Sequence, residues 1–136
     1  MKPLARGGDE AGMVGKLILV WLLVVVVFGL AAVDTASIVF ARFHASDLAG
    51  NAASEAANVW KATSDRRSAC AAAEGSVRDD DPSARIPHGG CAVDPSTGNV
   101  SVTVDLQAPT VVVGRVSSLA HFANVSDTET NGPTVL

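Results

Sequence analysis

The chain has 136 residues, with ten Lys or Arg against fourteen Asp or Glu and a formal net charge of −4 at neutral pH. Aromatic residues make up only 4% of it, with no Tyr, so a large enclosed substrate pocket is not expected. From residue 34 onward seven basic residues face twelve acidic ones, a balance that argues against nucleic acid or anionic lipid as a partner of that part.

Residues 1–13 read as a short cytoplasmic tail, with Pro3, Gly7, Gly8 and Gly12 among mixed charges. A prepilin peptidase cuts after a Gly that usually has Glu five residues beyond it, and none of Gly7, Gly8, Gly12 or Gly15 has that Glu. Residues 17–33, LILVWLLVVVVFGLAAV, then run for seventeen positions without a charge. As a helix they cover roughly 26 Å, and Val14 and Gly15 bring the segment close to the roughly 30 Å hydrocarbon core of a bilayer. In lipid a lone strand would leave its amides unpaired, so the valine run is expected to be a transmembrane helix over 14–33. Lys16 and Asp34 mark its two boundaries. Lys2, Arg6 and Lys16 precede the span and orient the N-terminus towards the cytoplasm. A cleaved signal peptide, leaving through Gly29, Ala31 and Ala32, is the competing reading of the same run.

Past Asp34 the helical signal continues to about Thr63, with no Pro, one Gly and many alanines. A face through Phe43, Ala45, Ala49, Ala52, Ala56 and Val59 suits close packing against a partner helix, self-association included, or against a flat sheet; a plain solvated helix is the alternative. Gly50 is a place for a bend. Residues 64–90 turn rich in Gly, Pro and charge and read as a loop region with one helical turn around 68–74. The run Asp79, Asp80, Asp81 lacks the alternating oxygen ligands and final Glu of a calcium loop and reads as a solvated turn before Pro82.

Cys70 and Cys91, the only two cysteines, both lie past the span, where an oxidising compartment would join them. No second Cys or His stands at ligand spacing near either, so a metal is not expected. Residues 91–130 read as a small β-rich domain. Valine alternates with polar residues over 100–106, a half-buried strand, and DPSTGN before it reads as a hairpin turn from a short strand over 91–93. After Pro109, residues 110–113 offer a third strand, 114–122 a short helix, and 123–130 a weakly alternating edge strand; 131–136 form a tail. The fold class is α+β: a long N-terminal helix, transmembrane and then extracytoplasmic, followed by a small antiparallel sheet of three to four strands.

No nucleophile elbow, HExxH, phosphate loop or dinucleotide fingerprint occurs, and His44, His88 and His121 are scattered. No catalytic residue and no cofactor is therefore expected.

The apolar run ending in Val33 and Asp34, the sequence Phe40-Ala41-Arg42, the alanine-rich NAASEAANVW and the alternating strand at 100–106 with Pro and Thr just after it together resemble the TadE/TadG-like family of tight-adherence pilus-assembly proteins. The resemblance covers most of the chain. It implies a single-span, pilin-like minor component beside a pilus secretion machine, with its C-terminal part outside and other pilus or secretion-system membrane proteins as partners. An anchored or secreted extracytoplasmic binding protein unrelated to pili is the alternative.

Overall fold

The computed structural model describes residues 9–133, and its dominant element, α1, runs unbroken over Asp9–Thr63. Its 55 residues span roughly 80 Å at 1.5 Å per residue. No Pro interrupts the chain between Pro3 and Pro82, and a helix nucleated in the apolar run propagates outward at little cost. The tail expected over 1–13 is corrected accordingly: 9–13 are helical, and 1–8 lie outside the described residues.

Two halves of α1 differ in what covers them. Residues 12–33 are exposed all round. Beyond them Ala41, Ala45, Leu48, Ala49, Ala52, Ala53, Ala56 and Ala57 are buried against the rest of the chain. The alanine face is thus covered by the chain's own second helix and sheet. Phe43 does not belong to this face, being 67% exposed. It lies two residues from both Ala41 and Ala45, roughly 200° around the helix. Val59 is half-buried at the end of the stripe.

The helix ends at Ser64, whose φ of 52° turns the backbone left-handed while its N–H bonds the Trp60 carbonyl at 2.7 Å. Asp65 then caps α2, Arg66–Asp80, accepting from the N–H groups of Arg67 and Ser68 at 3.2 and 3.0 Å. Ala69, Ala73 and Val77, four apart, form its buried stripe, and α2 packs against α1. The single turn expected around 68–74 is therefore a helix of 15 residues. The cap and the packed stripe extend it in both directions.

The sheet is an antiparallel meander of β1 (Cys91–Val93), β2 (Val100–Gln107) and β3 (Asn124–Asn131), with β2 in the middle. Val100, Val102, Val104 and Leu106 face inward and are buried, as the alternation requires. On the open face the hydroxyls of Ser101 and Thr130, and of Thr103 and Thr128, pair at 2.7 Å each. Register places Val104 beside Asp127, Val102 beside Glu129 and Val100 beside Asn131, so β3 turns polar residues toward α1. Ser46 donates to Glu129 Oε1 and Asn131 Nδ2 to the Gly50 carbonyl, each at 2.8 Å. Those bonds satisfy two of the inward polar side chains, Glu129 and Asn131.

Two expectations for 110–122 are corrected. Residues 110–113 form no strand, because the amides of Val111, Val112 and Val113 are bonded elsewhere, as described below, and 114–122 are turns ending in a single 3₁₀ turn, Ala120–Ala123. Cys70 and Cys91 form a disulfide that joins α2 to β1, with the two Cα atoms 5.8 Å apart. Residues 134–136 of the expected C-terminal tail lie outside the described residues.

A core of methyl groups at the helix surface leaves no room for larger ones. Ala52→Leu is expected to lower stability by about 1–3 kcal/mol through overpacking against the sheet, whereas Ala62→Leu on the exposed side should have little effect. Urea denaturation of the detergent-solubilised chain checks the contrast.

Candidate functional site where the bare helix meets the domain

Asp34 is the first residue after the apolar run, and it is 1% exposed. Its carboxylate is not turned to water. Oδ1 accepts from the N–H of Val111 at 2.6 Å, and Oδ2 from those of Val112 and Val113 at 2.8 Å each. Three backbone donors in succession on one anion are charge-assisted bonds, stronger than neutral ones. The bonds from Val113 and Val111 hold the Asp34 carboxyl below the usual carboxylate range, against the opposing effect of burial. The boundary residue of the sequence reading therefore also clamps a loop 77 residues away along the chain.

That loop is closed at its base and shaped within itself. Ala108 N–H bonds the Ala123 carbonyl at 2.7 Å, Gly114 N–H bonds Thr110 Oγ1 at 2.8 Å, and the Val112 carbonyl accepts from Arg115 and Val116. A Cβ on Gly114 would stand 2.6 Å from Thr110 Oγ1, so only glycine permits this closure. The loop turns its apolar side chains outward: Val111 is 50% and Phe122 56% exposed, with Val112, Val116 and Leu119 also exposed.

On the neighbouring turn of α1, Phe40 is exposed and His44 Nε2 lies 3.0 Å from Asp81 Oδ2, linking α1 to the C-terminal cap of α2. Asp81 is not simply a solvated acid. Its Oδ1 accepts from both the N–H and the hydroxyl of Ser83, and Asp94 does the same with Ser96 further along the chain, each in an Asp-Pro-Ser triplet. The serine hydroxyls are the main cause that holds both carboxyls below their ordinary range; Ser68 does this for the cap Asp65. Groups with depressed folded-state pKa values contribute stability above the unfolded pKa and lose it as protons bind. Thermal midpoints of the full chain in detergent should therefore hold steady from pH 7 to about 5 and fall as the pH drops through about 4 and below.

Lys16, the other predicted boundary residue, is exposed on the bare half of α1. A broad surface groove lies beside the disulfide, between Arg66, Arg67 and Glu74 of α2 and the turn at His88 and Gly89. It is open to solvent and brings no nucleophile and base together. Among the described residues no group of three or more His, Cys, Asp or Glu is placed to hold a metal ion.

The arrangement defines an α+β protein with one N-terminal helix long and apolar enough to cross a membrane, its mean hydropathy reaching 2.8, and a disulfide-bonded domain packed on the other end of that helix. Comparison with family models, with curated proteins and with solved structures finds no match to this chain.

Proposed function

We propose that the chain is a single-span, pilin-like minor component of a tight-adherence type pilus assembly system, with its N-terminus cytoplasmic and its domain extracytoplasmic, acting through protein–protein contacts. The observation that carries this reading is the division of α1: a bare apolar half continuous with an outer half onto which a small antiparallel sheet is folded. The sequence features that resemble the TadE/TadG-like family fall on those same parts. Orientation rests on Lys2, Arg6 and Lys16 ahead of the span.

Because the alanine face is filled by the chain's own sheet, contacts with other subunits are assigned to the bare half of α1 within the bilayer and to the hydroxyl-lined open face of β2 and β3. Small residues do not line the bare half continuously; Val and Leu dominate it, and packing there would be side chain against side chain.

Deleting the gene in its native host is expected to abolish or sharply reduce pilus assembly, and restoring it should recover it. Unchanged pili and unchanged envelope secretion would reject the proposal. Topology has its own test: alkaline carbonate should leave the chain in the membrane fraction, and maleimide should not label Cys70 or Cys91 in intact cells until a reductant is added.

A further inference from the structure

We propose that residues 110–122 form a second membrane contact, a loop seated in the interface between lipid headgroups and acyl chains beside the point where α1 leaves the bilayer. The inference rests on the single-span reading above. Three independent observations converge on it.

The first is height. Asp34 follows the last residue of the apolar run by one helical step, about 1.5 Å, and its carboxylate holds the backbone of Val111, Val112 and Val113 directly. Wherever α1 emerges from lipid, this loop is at the same level. The second is where apolar surface remains. Among the described residues beyond 33, the large exposed hydrophobic side chains are Val39, Phe40 and Phe43 on the adjoining turns of α1, and Val111, Val112, Val116, Leu119 and Phe122 in the loop. The outer surfaces of α2 and of the sheet carry none. Exposed apolar area confined to one end of a domain, and continuous with a lipid-facing helix, marks what that end rests on.

The third is charge. Between Asp105 and Asp127 there is no Asp or Glu, although the rest of this domain is acid-rich, and the single strongly basic residue in that interval is Arg115. An exposed patch of Val, Leu and Phe with one Arg and no acid fits the headgroup region, where the guanidinium reaches lipid phosphate while aliphatic and aromatic groups enter the acyl boundary. The loop itself, from 106 to 126, holds no carboxylate to oppose this contact, despite the domain's overall negative charge. Asp34 is consumed by the loop's own amides, and Asp81, which shares a groove with Phe40 and Pro109, is engaged by His44 and Ser83.

The test uses the full chain in phosphatidylcholine vesicles whose acyl chains are brominated near the glycerol end. In a Trp60→Phe background, Trp21 reports the span itself. Three chains are compared: that background, the same with Trp21→Phe and Val116→Trp, and the same with Trp21→Phe and Thr128→Trp, which places the probe on the open sheet face. Non-reducing electrophoresis verifies the Cys70–Cys91 bridge in each. The expected result is emission roughly twofold or more lower in brominated than in plain vesicles for Trp21 and for the indole at position 116, with no change for the indole at 128. Quenched Trp21 with unquenched, water-like emission from position 116 overturns the loop proposal and leaves the span intact; that is also the outcome if the patch is reserved for a protein. Unquenched Trp21 overturns the span reading and the loop proposal with it.

Discussion

Asp34→Ala is expected to release residues 110–114 from the helix without unfolding the sheet. Three consecutive amides, those of Val111, Val112 and Val113, would lose their acceptor together, and nothing else nearby offers a replacement carboxylate. Buried donors stripped of a partner are costly, so the segment should open to find water. Amide hydrogen exchange at these three positions should accelerate at least about tenfold, while β2 and β3 keep their protection. Asp34→Asn retains one carbonyl oxygen and no charge, so it should fall between the two. Unaltered exchange in Asp34→Ala would show that the loop is held by its internal bonds, from Gly114 to Thr110 and from Ala108 to Ala123, and not by the helix.

Removing the disulfide should have the largest effect on the domain as a whole. The core is built from Ala and Val, with Leu48 and Leu106 the only buried hydrophobic residues of greater bulk among the described residues, and small side chains bury little apolar area each. Cys70 and Cys91 close a loop of 21 residues in sequence separation, for which chain entropy alone gives about 3 kcal/mol. Cys70→Ser with Cys91→Ser is expected to lower the thermal midpoint of the domain by roughly 10–25 °C, measured by the loss of near-ultraviolet dichroism or by limited proteolysis. Since the bridge ties α2 to β1, the first segment to become cleavable should be 81–90, between them. A midpoint lowered by only a few degrees would mean that the packing of α2 on α1 already fixes the connection.

How far the sequence reveals this fold depends on what kind of signal each element carries. The bare half of α1 and the strand β2 announce themselves, one by seventeen uncharged residues and the other by strict alternation, because each has a simple environment: uncovered on all sides, or core on one face and open on the other. β3 is weakly patterned for a reason visible only in three dimensions. Its inward positions Asp127, Glu129 and Asn131 are polar, and two of them are satisfied by Ser46 and by the Gly50 carbonyl on α1.

The valine run at 111–113 has high strand propensity, yet β-propensity expresses a fit to a pleated, half-buried surface and yields when the amides find a better acceptor. Here that acceptor is Asp34. No local pattern connects two sites separated by more than half the chain; the available hint was an acid at the foot of an apolar run together with an acid-free apolar loop. A packing face drawn through both Phe43 and Ala45 contains a step of two residues, which helical geometry does not allow on one side. Starting instead at Ala41 gives the steps Ala45, Leu48, Ala52 and Ala56, and all of those residues are buried.

The covalent tie between α2 and β1 has a bearing on where the domain can exist. If copies of the chain stall on the reducing side of the membrane, they hold two free thiols, a core of methyl groups and a meander with one three-residue strand. Such copies would hold their domain more loosely than those in which the bridge has closed. Under the proposed topology, only copies whose domain reaches an oxidising compartment would close the bridge and gain the stability it brings.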